Sequence, residues 1–386
     1  MIRFACVRPC HPCVSRLPPV SFYRYLYTVH VQYRYPAGIQ NTVCHLADSS
    51  LGSRMRRLLR ARWTQLTAGT LPGARSSFGL SALRGRGLLF GGEKTSRHAI
   101  DSKVYALDVA DAGAYWKVIT PSVASPEPVP RVAHAQCISH GQLVIFGGRT
   151  GLDMGEGLLN DLWLFDVGTR TWTQPSTAGT PPVARSFHQL AALDDKIYVF
   201  GGCGADGRLA TLHELDRTSW HWSTLPHPPG LSGRGGASFE AASDGHALWV
   251  ACGFTGAESN DLMRFDPANR SWTRAPSDWL RPRSVCASFS MAHPSGPLVC
   301  LFGGEVSPSD RGHEGAGGFA ADLVALDVTA GGAPVHLVLE DGPQPQARGW
   351  AAATAISDKE ALLFGGLAGT DEAPVRLDDT WLLRID

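Results

Sequence analysis

The 386-residue chain lacks the features that mark several large classes of protein. No apolar run approaches the roughly 18 residues of a membrane-spanning helix. The sequence contains no phosphate-binding glycine loop, no nucleotide fingerprint and no arrangement that indicates a nucleophilic triad. We therefore expect a protein that does not cross a membrane, and neither a kinase nor a hydrolase is indicated.

The cysteine pattern excludes a disulfide scaffold. The nine cysteines are an odd number without the regular spacing of a secreted scaffold, which indicates reduced thiols. Cys10 and Cys13 have CxxC spacing, but no second pair accompanies them, so a metal or redox role is not favoured there. With no secretory leader in the sequence, we expect a cytoplasmic protein and disfavour a secreted, sugar-modifying one.

Acidic residues are almost absent from the first 62 positions, which hold ten arginines, no lysine and one acid, Asp48. Arginine-rich, acid-poor leaders are typical of organelle transit peptides. We predict that residues 1–60 form a disordered basic leader or a transit-like segment, or are translated sequence upstream of the true start. Residues 61–386 then form the folded domain. That domain is mildly acidic, which argues against nucleic acid as a partner.

A short phrase recurs along the folded domain at intervals of 51 to 62 residues. It is a hydrophobic strand that ends in two glycines, and a repeat of roughly 50 residues with this ending is similar to the Kelch repeat. The copies are Phe90-Gly91-Gly92, Phe146-Gly147-Gly148, Phe200-Gly201-Gly202, Cys252-Gly253 in degenerate form, Phe302-Gly303-Gly304 and Phe364-Gly365-Gly366. The sequence thus predicts an all-β, six-bladed Kelch β-propeller.

Each repeat places an arginine before its first strand and a tryptophan on its outer strand, where the large ring fills the wide space between blades. The fifth repeat lacks the tryptophan and has Val335 or His336 there. The chain ends on a strand without an outer neighbour, whereas an unmatched outer strand around Trp63 precedes the first repeat. We predict that this strand pairs with the C-terminal blade and closes the ring, which removes an open edge.

The residue after each glycine pair differs from blade to blade, and propellers place ligands where such loops converge. The six residues are Glu93, Arg149, Cys203, Phe254, Glu305 and Leu367. Charges of opposite sign at one mouth favour a polar pocket. Solvated loop residues of no special role are the open alternative.

The loop after the fifth glycine pair carries Glu305, Asp310 and His313, followed by a glycine-rich return. Two hard carboxylate ligands and one imidazole on one flexible loop suit Fe(II), Mn or Zn. A three-ligand site with open positions is a catalytic arrangement rather than a structural one.

From about residue 62 onward the chain resembles the plant specifier proteins, which include nitrile-specifier, epithiospecifier and thiocyanate-forming proteins, and their fungal and algal Kelch relatives. The stretches that carry this resemblance are Arg75-Ser76-Ser77-Phe78-Gly79, Arg234-Gly235-Gly236-Ala237, Glu258-Ser259-Asn260, Arg283-Ser284-Val285 and Arg348-Gly349-Trp350. The resemblance implies an Fe(II) site with a Glu-x3-Asp-x3-His motif. Glu305 and His313 match it, whereas Ser309 holds the Asp position and Asp310 follows one residue later.

The resemblance also implies a substrate pocket. Arg149 and Arg208 match two family arginines suited to a sulfate group, since the guanidinium fork donates two hydrogen bonds at once. Phe187 and Trp350 match aromatic residues of that pocket, and Glu93 is a further candidate for substrate binding. The function implied is Fe(II)-dependent, lyase-like diversion of glucosinolate-derived thiohydroximate sulfates to nitriles.

Two classes of function therefore stay open. In the first, a small organosulfur substrate reacts at a metal on the loop face. In the second, the chain is a non-catalytic Kelch module whose loop face binds a protein partner, which is the commoner role of this fold. Metal dependence separates them.

Overall fold

The computed structural model describes residues 58–110, 113–122, 126–153 and 155–386, with the side chains of Ala110 and His313 excepted. The predicted leader, with its cysteine pair, lies outside the described residues up to residue 57. Almost all regular structure in the described part is β-strand, and its one helix is the 3-10 turn Gly312–Glu314. No helix there is long and apolar enough to cross a membrane.

The strands form six antiparallel four-stranded units, numbered here as blades in chain order. Blade one comprises Gly79–Leu83, Arg86–Phe90, Val104–Ala110 and Gly113–Ile119; blade two Ala135–Ser139, Gln142–Arg149, Leu158–Asp166 and Thr171–Thr173; blade three Gln189–Leu193, Lys196–Phe200, Leu212–Asp216 and His221–Thr224, with Ala178–Gly179 added in parallel at its edge.

Blade four comprises Ser238–Ala241, Leu248–Ala251, Leu262–Asp266 and Ser271–Arg274; blade five Ala287–Met291, Leu298–Phe302, Leu323–Asp327 and Ala333–Leu339; blade six Ala352–Ala355, Glu360–Gly369, Pro374–Ile385 and, from the other end of the described chain, Leu58–Leu66. The first strand of every blade lines the axis. Three short hairpins extend the loops of one face, namely Glu93–Thr95 with His98–Ala99, Cys203–Gly204 with Gly207–Arg208, and Glu305–Ser307 with Gly318–Phe319.

The strand Leu58–Leu66 closes the ring. It pairs antiparallel with the C-terminal strand, where Trp63 lies opposite Leu383. Its first residues also run parallel to the outer strand of blade five, with Leu58 opposite His336, and so join blades five and six into one eight-stranded sheet. The predicted closure around Trp63 is confirmed, and the strand begins three residues before the expected boundary at residue 61.

Backbone hydrogen bonds form a closed circle around the axis. The residue two positions after each blade's arginine donates its N–H to the equivalent carbonyl of the preceding blade, at 2.7–3.1 Å. All six members have positive φ, between +48° and +61°, a conformation that costs a non-glycine residue about 1–2 kcal/mol. They are Ser77, Ala133, Phe187, Gly236, Val285 and Trp350. Because the circle returns from blade six to blade one, each blade depends on both neighbours.

The repeated arginines link the blades through both backbone and side chain. Arg75, Arg131, Arg185, Arg234, Arg283 and Arg348 are all buried. Each guanidinium donates to a carbonyl at its own blade's glycine pair, at 2.8–3.0 Å. Each backbone carbonyl accepts from the second glycine of the preceding blade, and the bond from Gly366 to Arg75 completes the series.

The outer-strand tryptophans pack between blades as predicted. Each ring contacts the phenylalanine that precedes a glycine pair in a neighbouring blade, with centroids 5.1–6.1 Å apart. The pairs are Trp63–Phe302, Trp116–Phe364, Trp172–Phe90, Trp222–Phe146 and Trp272–Phe200. In blade five the position belongs to Val335, which is buried, whereas His336 is exposed.

We predict that deleting residues 2–57 leaves one cooperative thermal transition at an unchanged temperature, because residues 58–386 contain the whole closed ring. Deleting residues 2–66 removes the closing strand and should abolish or broaden that transition, since the outer edges of blades five and six are then exposed. Differential scanning calorimetry on the two truncated proteins checks this. Equal melting of both would contradict the closure.

Blade three offers a stability test, because its buried Arg185 has no carboxylate among its described partners. Each of the other five blades pairs its arginine with an aspartate, as in the Arg131–Asp161 pair, but blade three has Thr211 at the place of Asp161. Burial lowers the pKa of Arg185 to about 10. We predict that Thr211→Asp raises the free energy of unfolding by about 1–2 kcal/mol. Thr211→Asn is the uncharged control, and chemical denaturation measures the free energy of unfolding of both variants. A value for Thr211→Asp equal to or below that of Thr211→Asn would refute the prediction.

Candidate functional site

The residues after the glycine pairs meet at one mouth of the ring. Each forms a backbone bridge to the residue that follows its blade's arginine. Glu93, Arg149 and Glu305 are only 3%, 1% and 6% exposed. The alternative of solvated loop residues is therefore wrong for these three, whose side chains are buried.

A pocket of about 290 Å³ opens beside this mouth. Four of the eight residues predicted for the site line it, namely Phe187, Arg208, Glu305 and Trp350. Arg149 is buried next to the pocket, with its guanidinium carbon 5.5 Å from the centre of the Phe187 ring. The structure thus combines aromatic rings, arginine and a carboxylate in one small concavity.

Glu305 is the carboxylate of the pocket. It begins the hairpin strand Glu305–Ser307 directly after the fifth glycine pair. Burial raises the pKa of Glu305 to about 7, and the nearby charges of Glu258 and Asp371 act in the same direction, against the backbone N–H of Ser309. A carboxylate held this way gains from a cation beside it.

The remaining residues of the predicted metal motif lie in the same loop. Asp310 is exposed. His313 lies in the 3-10 turn Gly312–Glu314, and its side chain is outside the described part of the structure. Among the described side chains, no three His, Cys, Asp or Glu groups are close enough together to hold a metal ion. The triad of Glu305, Asp310 and His313 stays a prediction.

Two carboxylates that sequence reasoning did not assign lie near Glu305. Asp371, from the blade-six loop, has a buried Oδ1 with no hydrogen-bond partner, and a Cβ on Gly315 would overlap both this oxygen and Ser309 Oγ. Glu258 accepts a hydrogen bond from the hydroxyl of Ser284 at 3.3 Å, while its Oε2 is buried without a hydrogen-bond partner. Burial raises the pKa of Glu258 to about 7.

Two of the predicted arginines, Arg149 and Arg208, belong to the same mouth. Arg149 has a pKa lowered by burial, and its Nε and Nη2 are buried without hydrogen-bond partners. Arg208 is exposed at the pocket rim and stacks over Phe254, 4.6 Å from the ring centre. Glu93 does not line the pocket: two serine hydroxyls donate to its Oε1 at 2.9 and 3.2 Å.

Comparison with known proteins identifies the repeat. The KLHDC2/KLHL20/DRC7 Kelch-repeats domain matches residues 77–304. The chain belongs to this Kelch-repeat family. A solved propeller, the structure of YjhT, superimposes with a TM-score of 0.60 over 80% of this chain and 95% of that chain; at 17% sequence identity the likeness shows the fold alone.

Two curated relatives point in different directions. The Kelch chain is 29% identical over 363 residues to the N-(sulfonatooxy)prop-2-enimidothioate sulfolyase of Thlaspi arvense, covering 86% of this chain and 99% of that protein. It is also 30% identical over 246 residues to Kelch domain-containing protein 3 of Rattus norvegicus, covering 59% of this chain and 60% of that protein. The first relative supports the resemblance to specifier proteins.

A second concavity runs along the axis of the Kelch ring, with a volume of about 390 Å³. Its acidic lining residue is Glu240, which faces the channel and accepts a hydrogen bond from Ser288 Oγ at 2.6 Å. Burial inside the ring raises the pKa of Glu240 from 4.5 to about 7. The folded protein therefore binds this proton more tightly than the unfolded chain does, and stability falls as the pH rises through about 7.

We predict that Glu240→Gln removes this pH dependence. The substitution should raise the melting temperature at pH 8 more than at pH 6, because only the wild-type carboxyl must ionise in the channel. Thermal melts of both proteins across this range check it. Parallel pH curves for the two proteins would contradict the assignment.

Proposed function

We propose that the loop face binds and converts a small organosulfur anion with the help of a metal ion. The observation that carries the proposal is the pocket that joins the buried carboxylate of Glu305 to Arg208, Phe187 and Trp350, with Arg149 beside it. Similarity to a sulfolyase over nearly the whole of that relative supports it. The substrate class is a thiohydroximate O-sulfate, whose anionic head and organic side chain suit arginine and aromatic rings respectively.

Fe(II) is the metal that the resemblance implies, and the carboxylates near the pocket suit a hard divalent cation. Glu305 and His313 are the proposed ligands from the fifth loop. The middle carboxylate comes from Asp310 or from Asp371, whose buried, unpartnered Oδ1 lies beside the Ser309 that replaces the family's aspartate. When bound, Fe(II) would supply a Lewis acid towards the substrate's sulfur.

The chain's own residues bind and orient the substrate. Arg149 and Arg208 pair with the sulfate group and stabilise its negative charge as it leaves. Phe187 and Trp350 pack against the organic side chain and exclude water. In the reaction the N–O bond breaks with its electron pair going to sulfate, the C–S bond breaks to release sulfur, and a nitrile remains; no other reactant is needed.

A protein-binding Kelch module is the second candidate. The similarity to Kelch domain-containing protein 3 favours it. Such a module would use the same loop face but would not depend on a metal. Loss of a buried carboxylate such as Glu305 would then disturb the binding face only locally.

The full-length protein, prepared without oxygen, should bind one Fe(II) per chain. We expect Glu305→Gln and His313→Ala to weaken Fe(II) binding roughly tenfold or more, since each removes a ligand. Asp310→Asn and Asp371→Asn identify the middle carboxylate, because only the variant that lacks the ligating aspartate should bind Fe(II) more weakly. Iron content and calorimetric titration measure this.

Glu314→Gln is the matched control, because it removes an exposed acid from the same loop. The same proteins are then assayed for nitrile formation from an enzymatically released thiohydroximate sulfate. Iron binding that none of the ligand variants affects, or nitrile yields equal to the spontaneous reaction, would overturn the enzymatic proposal and favour the interaction module.

A further inference from the structure

Arg97 is an arginine of the pocket wall that the repeat pattern does not indicate. It lies in the turn between Glu93–Thr95 and His98–Ala99, with a φ of +65°. Its backbone N–H donates to Oε2 of Glu93 at 2.5 Å. A residue in this left-handed conformation is costly unless its surroundings hold it, and this hydrogen bond fixes the turn against the mouth.

Arg97 and Arg149 together carry three buried N–H positions without hydrogen-bond partners in the described structure, namely Nε of Arg97 and both Nε and Nη2 of Arg149. Arg149 Nη1 makes only a long hydrogen bond, 3.5 Å to the carbonyl of Asp153. Arg97 Nη1 lies 3.8 Å from the Asp153 carboxylate, which is 86% exposed, so water screens that pair.

A third arginine adds to the excess of positive charge. Arg376, from blade six, has a buried Nε with no hydrogen-bond partner, and its Nη2 lies 3.9 Å from Oε1 of Glu93. Glu93 is the buried carboxylate next to these arginines. It accepts the backbone N–H of Arg97 and lies 3.9 Å from Arg376, and its charge opposes the lowering of the Arg149 pKa by burial. Buried guanidinium groups with unmet hydrogen bonds are costly, and an anion supplied by a ligand would satisfy them.

We propose that Arg97 and Arg149 jointly bind a tetrahedral oxyanion group of the ligand, with Arg376 and Glu93 holding them in place. Arg97 lines the pocket, Arg149 lies behind Phe187, and both present donors that nothing else in the described structure accepts. Arg208 adds a third guanidinium to the same group from the exposed rim of the pocket. This inference deepens the proposed function by naming the group that sets anion specificity, and it does not depend on the metal.

The pocket defines the class of ligand. Sulfate and phosphate esters both offer oxygen atoms that match the guanidinium forks. Phe187, Phe254 and Trp350 line the same pocket and suit a small apolar or aromatic body attached to that head. The ligand class is therefore a small organic sulfate or phosphate ester, and the probes below distinguish the two.

The test is calorimetric titration of the full-length protein, without added metal, with phenyl sulfate and with phenyl phosphate. We expect Arg97→Gln to weaken binding of the preferred ester about tenfold, the loss of one to two hydrogen bonds to a charged group. Arg97→Lys keeps the charge but not the guanidinium fork, so its affinity for the ester should lie between those of the wild-type protein and Arg97→Gln. Lys94→Gln removes an exposed charge from the same hairpin and should change binding less than twofold.

The outcomes separate this inference from the proposed function. If Arg149→Gln weakens binding but Arg97→Gln behaves like Lys94→Gln, Arg97 is not part of the anion site and the proposed function is untouched. If the wild-type protein binds neither ester, the anion site is refuted. The Fe(II)-binding experiment then still tests the proposed metal site independently. If one ester binds more tightly than the other and its binding depends on Arg97, the site is supported. The tighter ester then shows whether the site prefers sulfate or phosphate. Thermal melting confirms that each variant is folded.

Discussion

Six backbone hydrogen bonds, each from one blade to the blade before it, close a circle around the axis, and the loops of the candidate site start beside this circle. The members of the circle adopt a left-handed conformation in every blade, including residues as large as Phe187 and Trp350. That conformation is held because the buried arginines fix the chain on one side and the glycine pairs on the other. The backbone strain is thus distributed over all six blades of the closed ring, and a single isolated blade could not sustain it.

The same circle sets the positions of two residues in each blade. In blade three these are the ring member Phe187 and the residue after the glycine pair, Cys203, which bridges back to Ser186; both line the pocket. Because the bridges are identical in all blades, the side chains alone distinguish one sector of the mouth from another. Arg97, Arg149 and Arg208 come from the loops of blades one, two and three, and Glu258, Glu305 and Asp371 from the loops of blades four, five and six. Glu93 of blade one and Arg376 of blade six are the exceptions, and they lie 3.9 Å apart. A polar ligand would therefore be oriented by charge across the mouth.

Much of the fold followed from the sequence because the repeat is local. The glycine pairs, the arginines and the outer tryptophans recur at fixed places within about 50 residues, so blade boundaries and ring closure were predictable. Blade five showed the limit: the pattern did not decide between Val335 and His336, since the choice depends on which face of the outer strand meets the neighbouring blade.

The candidate site was less predictable, because its contacts join loops of different blades. Asp371 lies 66 residues beyond Glu305 in the sequence and reaches its surroundings only through the radial arrangement of blades. The same holds for Arg376 beside Glu93. Burial of Glu93 and Arg149 also depends on neighbouring loops rather than on their own sequence. Motif spacing pointed to Glu305 and the family resemblance to Phe187 and Trp350, but the partners of these residues required the folded ring.

The most direct test of the account is a crystal structure of the anaerobically Fe(II)-loaded protein, with diffraction data collected at the iron absorption edge. The account predicts one anomalous peak in the fifth-loop region, within ligand distance of Glu305 and His313 and of either Asp310 or Asp371. No peak at this mouth, or a peak elsewhere on the ring, would contradict the claim that the loop face is a metal-dependent site.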